Sequence, residues 1–247
     1  MECSIPLAMR QEVSRCLLCY DAPCSKACPA KNKPDRFLRA LYFQNSLGAA
    51  RITVAENPLA EKCAASCQGN AYCQKACIRR KIDKPIDIPS IQSYLAQLAR
   101  KIDINPYEKS VVTHHPSISI IGHSISVAAL AIFLSRKGGV QVYCTDTASW
   151  MATKEGKNIL QANDVAIQCI QSIQDETIWR RDADICIITS PIEMGFNNKQ
   201  VYIACELEDD DALDVVSVRK GRECAQKVWQ YIKEREEEKH EECRYVH

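Results

Sequence analysis

From Pro34 to Ala55 apolar side chains fall at Phe37, Leu38, Leu41, Tyr42, Leu47, Ala50, Ile52 and Val54. This partly 3.6-residue period is interrupted at Ser46-Leu47-Gly48 and stopped by Asn57-Pro58, so it predicts two short helices. A further helix is predicted behind Asp87 as its cap, through Ile88, Ile91, Tyr94, Leu95 and Leu98, with Pro89 and Ser90 confined to its first turn and an end near Lys101. The segment from Asp103 to Pro116 is polar and carries two prolines, the composition of a linker, which puts a domain boundary at about residue 108. Beyond it the period changes. Ser117 to Gly122 is a short β-rich run, Ser124 to Lys137 suits a helix stopped by Gly138-Gly139, and Val140 to Cys144 is β-rich again. This strand-helix-strand order implies a parallel sheet. Apolar or alternating runs at Val165 to Ile170, Ile185 to Thr189 and Val201 to Ala204 extend it, and a last helix covers roughly Ala212 to Lys239. The first half therefore reads as helical and the second as α/β.

Composition sharpens this picture chiefly through cysteine. With 247 residues, 46% hydrophobic and 26% charged, the chain has material for one large or two ordinary domains. Its 32 Lys and Arg against 31 Asp and Glu leave a formal charge of +1, too little to grip nucleic acid or an anionic membrane surface. No apolar run approaches the roughly 20 residues of a membrane span, and Met1-Glu2-Cys3-Ser4 does not open a secretory signal, so a cytoplasmic protein is expected. Fifteen cysteines then point to metal or redox chemistry rather than to a secreted disulfide scaffold.

Eight of them lie between Cys16 and Cys77. Cys16, Cys19, Cys24 and Cys28-Pro29 form a C-x2-C-x4-C-x3-C-P run, and Cys63, Cys67, Cys73 and Cys77 a second quartet. A cubane needs thiolates converging from a short irregular loop, and crowding before a proline favours iron and sulfide. Structural zinc, which usually pairs two short-spaced cysteines with a distant second pair, is the main alternative. In ferredoxin-type runs the cysteine before proline serves the other of two clusters, so Cys16, Cys19 and Cys24 belong together and Cys28 goes elsewhere. Isolated cysteines, namely Cys3, Cys63, Cys144, Cys169, Cys186, Cys205, Cys224 and Cys243, read as small buried hydrophobes. His114, His115 and His123 read as solvated, and no catalytic array is present.

Residues Ser14 to about Ala99 resemble the N-terminal iron-sulfur domain shared by dihydropyrimidine dehydrogenase and the small subunit of NADPH-dependent glutamate synthase. The matching stretches are Arg15 to Ala30, Glu56-Asn57-Pro58-Leu59, and Pro85 to Gln92. The resemblance implies two [4Fe-4S] clusters with crossed ligation: Cys16, Cys19, Cys24 and Cys77 for one, and Cys28, Cys67, Cys73 and the side-chain oxygen of Gln92 for the other. Cys63 matches a family cysteine that is not a ligand, and the gap from Cys77 to Gln92 counts one residue short of the family's.

In that family an FAD-binding domain follows, opening on a G-x-G-x-x-G/A turn whose glycines let the backbone approach the pyrophosphate. Here the matching run is Gly122-His123-Ser124-Ile125-Ser126-Val127. Only Gly122 remains, Ser124 and Val127 replace the other glycines, Asp146 is the sole candidate for the acidic ribose partner with Thr145 at the aligned place, and Cys205-Glu206 replaces Gly-Asp at the flavin chain. The space between Asp146 and Lys199 is too short for the family's NAD(P)H domain. The fold class implied is an α-helical two-cluster iron-sulfur domain, residues 1–108, followed by an α/β Rossmann-like parallel-sheet domain, residues 109–247, that is a shortened FAD-domain remnant serving as scaffold or docking surface. The function expected is an electron-transfer component of an oxidoreductase, passing single electrons to a protein partner that carries flavin and substrate chemistry. The alternatives are a self-contained small flavoenzyme holding FAD through Gly122, Ser124, Asp146 and Glu206, and a zinc-binding docking module.

Overall fold

The structure is a computed structural model, and it describes residues 5–67, 72–104, 116–144, 146–170, 183–189, 201–204, 207 and 213–244. Two compact units result: Met1–Glu108 with Asp211–Arg219, and Lys109–Asp210 with Lys220–His247.

Among the described residues of the first unit seven helices precede any strand: α1 (Leu7–Ser14), α2 (Pro23–Lys26), α3 (Pro34–Tyr42), α4 (Ser46–Glu56), α5 (Ala60–Ser66), α6 (Tyr72–Ala76) and α7 (Ile88–Lys101). A 3₁₀ turn, Ile78–Lys81, lies between the last two. The predicted pair of helices over 34–55 is present, but the break falls at Phe43–Asn45 rather than at Ser46-Leu47-Gly48. The reason is capping: Asn45 Oδ1 accepts the Gly48 N–H at 2.7 Å, which makes Ser46-Leu47-Gly48 the first turn of α4. Tyr42 and Leu47, read as part of the apolar face, are exposed. Asp87 caps α7 as expected, accepting from Ser90 N. The inward face of α7 repeats at Ile88, Ile91, Leu95 and Ala99, all buried against Phe37, Leu38 and Leu41 of α3 and Ala49 and Ala50 of α4. Each large aliphatic side chain so buried contributes about 1.5–3 kcal/mol. Cys16, Cys24, Cys73 and Cys77 pack at the margin of this core, half-buried.

The second unit is a five-stranded parallel sheet of order β3-β2-β1-β4-β5, formed by β1 (Ser117–Ile121), β2 (Gly139–Cys144), β3 (Val165–Cys169), β4 (Ile185–Ile188) and β5 (Val201–Ala204). β1 pairs with β2 from Ser117↔Gly139 to Ile121↔Tyr143, and with β4 from Ile118↔Ile185 to Ile121↔Ile188. α8 (Ile125–Ser135) crosses from β1 to β2, and its Val127–Ile132 stretch is buried throughout, as a helix between a sheet and another layer must be. α9 (Lys154–Ala162), which the apolar pattern did not reveal, precedes β3. The last helix, α10, runs Asp214–Arg244, later at both ends than the expected Ala212–Lys239. Gly221 on α10 permits the close approach of α8: a Cβ there would lie 2.2 Å from the Ser126 carbonyl oxygen. The order 3-2-1-4-5 is that of the doubly wound Rossmann sheet, with its switch point between β1 and β4. Among the described residues no helix is long and apolar enough to cross a membrane.

Candidate metal centre

Irregular backbone shapes the first cysteine run. The Cys16 N–H closes on Val13 O at the end of α1, and Leu18 and Ala22 then take left-handed conformations at φ 49° and 45°. Such residues cost about 1–3 kcal/mol each and persist where surrounding structure holds them, commonly at functional sites. They fold the Cys16–Cys19 segment back so that Pro23 opens α2 and carries Cys24 to the same place. Cys77 arrives from the other direction, capping the 3₁₀ turn. Arg15 binds this arrangement from outside: its guanidinium donates to Glu12 Oε2 at 2.6 Å, Asp83 Oδ1 at 3.0 Å and Lys84 O at 2.6 Å. Arg79 donates to both oxygens of Asp83, at 2.8 and 2.9 Å. The two guanidiniums hold the Asp83 carboxyl well below the usual carboxylate range.

The result is a cavity of about 470 Å³ on whose wall Cys16, Cys19, Cys24 and Cys77 all stand, with Leu17, Leu18, Leu38 and Ile86 between them. A second cavity, about 350 Å³, is lined by Cys28, Cys63, Cys67, Cys73, Asn32 and Gln92. The two linear quartets thus exchange members in space. Cys28 leaves the first run for the cavity of Cys67 and Cys73, and Cys77 leaves the second run for that of Cys16, Cys19 and Cys24. Cys63 on α5 lies four residues before Cys67, which caps the end of that helix, and it lines the second cavity as a fourth thiol. Buried Asn57 donates from Nδ2 to Cys63 Sγ at 3.3 Å and accepts from Leu59 N at 2.9 Å. Gln92 is buried on α7, its Nε2 donating to Ala60 O at 2.7 Å and its Oε1 accepting from Asn32 Nδ2 at 2.9 Å. Neither asparagine is visible as a site residue in the sequence, since both look like ordinary turn residues.

These cavities suit a cationic cluster by their chemistry. Burial pushes the Cys24 and Cys67 thiols up to about 11 and Cys73 up to about 12, and it raises Cys16 and Cys63 as well. Without a cation these sulfurs stay protonated at neutral pH, and a bound cation is what makes them thiolates. Among the described residues no three His, Cys, Asp or Glu side chains converge as a single ion requires. Four cysteines stand on the wall of each cavity, the number of thiolates that a cubane takes. None of the described cysteines is in a disulfide. Of the isolated ones, Cys63, Cys144 and Cys186 are buried as expected, whereas Cys169 and Cys224 are only half-buried because they sit at a strand end and on the flank of α10. Cys3, Cys205, the Cys243 side chain, His114 and His115 lie outside the described residues.

Residues 4–104 match the family described as dihydropyrimidine dehydrogenase domain II, 4Fe-4S cluster. This part of the chain belongs to that iron-sulfur family. The chain is also 31% identical over 214 residues to the NAD-dependent dihydropyrimidine dehydrogenase subunit PreT of Salmonella typhimurium, covering 87% of this chain and 46% of that protein. It is 37% identical over 133 residues to the PreT subunit of Escherichia coli O157:H7, covering 54% of this chain and 32% of that protein. The putative oxidoreductase AegA of Escherichia coli K12 is 28% identical over 136 residues, covering 54% of this chain and 21% of that protein. The chain therefore spans less than half the length of these relatives. The iron-sulfur domain is followed, as the Rossmann strand order shows, by the counterpart of a dinucleotide fold.

At the switch point of that fold the turn is closed on itself. Ser124 Oγ accepts from Val127 N at 3.2 Å and donates to Leu207 O at 3.1 Å, so the start of α8 is capped by its own side chain beneath buried Leu207. Thr189 bridges from the end of β4, donating from N at 3.2 Å and from Oγ1 at 2.7 Å to Ile121 O. A Cβ on Gly122 would meet Thr189 Oγ1 at 2.1 Å and Val127 Cγ2 at 2.9 Å. Ser149 Oγ donates to His123 O. Asp146 Oδ1 accepts from Ala148 N at 2.8 Å within its own loop. In a dinucleotide fold this turn presents backbone N–H groups to the pyrophosphate; here Ser124 Oγ takes the Val127 N–H and Asp146 turns into its own loop. Glu206 lies outside the described residues.

Proposed function

We propose that the chain is an iron-sulfur electron-transfer component of an oxidoreductase, with one [4Fe-4S] cluster on Cys16, Cys19, Cys24 and Cys77 and a second on Cys28, Cys67, Cys73 and Gln92. The observation that supports this most is the partition of those eight donors, four to each of two cavities, across the order in which the sequence supplies them. When bound, each cluster supplies one-electron redox change. The residues around it bind and shield: Leu17, Leu18, Leu38 and Ile86 form an apolar wall at the first cavity, and Pro29, Pro34, Ala64 and Pro89 do so at the second. Such walls exclude water and set the dielectric on which a cluster's potential depends.

Flavin and substrate chemistry belong, on this proposal, to a protein partner, a reading supported by the turn at Gly122 and Ser124, where Ser124 Oγ engages Val127 N and Leu207 O. The names of the relatives make a dihydropyrimidine dehydrogenase assembly the first candidate for the complex. The sheet unit then acts as scaffold or docking surface. The test is metal, acid-labile sulfide and flavin analysis of protein purified without oxygen. Iron and sulfide near eight each per chain, with no flavin released by heat, are expected for two cubanes. Zinc without sulfide would make the chain a structural module, and stoichiometric FAD would make it a small flavoenzyme.

A further inference from the structure

One polar group on the wall of the second cavity belongs to no ligand set. Asn32 is 5% exposed and its Nδ2 donates to Gln92 Oε1 at 2.9 Å, while Gln92, 6% exposed, donates from Nε2 to Ala60 O at 2.7 Å. The network dictates how both amides are turned. Reversing Gln92 would set its oxygen against the Ala60 carbonyl, and reversing Asn32 would set oxygen against oxygen at Gln92. With the amides so fixed, Asn32 Oδ1 is buried with no hydrogen-bond partner. A buried amide oxygen without a donor is destabilising, and an apolar side chain of similar volume at the same place would avoid that cost. Apolar residues at both 32 and 92 would avoid it altogether, so stability alone gives no reason for this pair of amides. The one satisfied contact of the Asn32 amide is with the proposed oxygen ligand.

We propose that Asn32 is the positioning residue for the oxygen ligand of the second cluster. This rests on the reading above that Gln92 ligates. Its N–H takes one lone pair of Gln92 Oε1 and directs the other toward the cavity, while Ala60 O anchors the far end of the same amide. A neutral amide oxygen is a weak donor on a long side chain with several rotatable bonds. Holding it at both ends removes the freedom that would otherwise oppose binding among three thiolates. Partners one step behind a metal ligand commonly change metal affinity about 10- to 100-fold when removed.

The test compares anaerobically purified wild type with Asn32→Leu, Asn32→Asp, Gln92→Ala and the double variant Asn32→Leu/Gln92→Ala. The readouts are iron and sulfide content, the EPR signal and redox titration of each reduced cluster, and the rate of iron loss to a chelator. Asn32→Leu is expected to change the lineshape of the signal that Gln92→Ala also changes and to release that cluster's iron about tenfold faster, consistent with removal of a second-layer partner. The other signal stays as in wild type. Asn32→Asp, isosteric but without the donor, perturbs the same cluster and keeps the proposal open to refutation should the leucine variant not fold. In the Gln92→Ala background Asn32→Leu adds nothing further, which a merely structural role would not predict. Two clusters in wild type that both Asn32 variants leave unchanged would overturn this proposal alone. A wild type with fewer than two clusters, or one indifferent to Gln92→Ala, would overturn the ligand reading beneath it and the proposal with it.

Discussion

The cavity walls of the first unit and the turn after β1 in the second treat their polar groups in opposite ways. In the first, sulfurs with raised proton affinity stand around two cavities. In the second, the corresponding ligand turn satisfies itself: Ser124 caps α8 and reaches Leu207, Thr189 closes on Ile121, and Ser149 takes the His123 carbonyl. Ser126 Oγ is an exception there, buried without a partner, and nothing in the structure explains it. The contrast gives a physical criterion. A site shaped for a ligand leaves groups that only the ligand completes, whereas a fold that keeps its shape without the ligand fills those roles with its own side chains.

The largest effect should come from breaking the first half of this comparison. Cys28→Ser is expected to remove about half of the iron and sulfide, since one cubane of two carries about four of each. Cys144→Ala and Cys186→Ala in the sheet, also buried thiols, should leave both contents unchanged. Metal analysis beside EPR of the reduced protein measures this. An equal loss from Cys186→Ala would mean that buried sulfur as such, and not its placement on a cavity, governs cluster content.

The closed turn can be probed next. Gly122→Ala forces a Cβ to within 2.1 Å of Thr189 Oγ1, and overpacking of this kind costs about 1–3 kcal/mol. Thr189→Ala should recover part of that loss in a double-variant cycle followed by urea unfolding. If the two losses simply add, Gly122 is retained for something other than packing against Thr189. Re-opening the turn with Ser124→Gly and Val127→Ala is expected to cost about 2 kcal/mol, mostly from the buried valine. No flavin should be gained, because Leu207 and Thr189 still cover the place. A yellow variant protein with FAD near one per chain would show that two side chains alone separate this sheet from a working flavin domain.

How much of this was legible beforehand follows the length scale of each signal. Strands such as Val140 to Cys144 and the α7 face at Ile88, Ile91 and Leu95 are spelled by period and turn residues, so the parallel sheet and the helical first half could be read directly. The thiol pattern spelled a cluster domain because cysteine spacing survives independently of the surrounding fold. The start of α4 was misplaced because Asn45 supplies a cap that looks like ordinary polar sequence. α9 went unseen because Lys154–Ala162 buries only Gly156, Ile159 and Leu160, too few apolar positions to show a period. Asn32 and Asn57 escaped for a different reason. Their roles lie in contacts with Gln92 and with Cys63, and the first of these spans 60 positions, so that partner appears only in the folded chain.

The smallest effect expected belongs to the ion cluster outside the first cavity. Arg15 and Arg79 keep Asp83 ionised, and the loop they fix joins the 3₁₀ turn after Cys77 to α7. Because the folded carboxyl titrates below its ordinary value of 3.8, this contribution is fully present above that value and is lost only as pH falls through the lowered one. Asp83→Asn should therefore destabilise the protein by the same modest amount at every pH from 5 to 8, with no slope across that window. The side chains are partly exposed, so raising ionic strength to about 1 M, where the screening length falls to about 3 Å, should shrink the difference. Urea unfolding of both proteins at two pH values and two salt concentrations measures it. A difference that grew between pH 8 and pH 5 would assign the effect to a group other than Asp83. One that ignored salt would make the hydrogen bonds to Lys84 and the loop, rather than charge, the source of the order around Cys77.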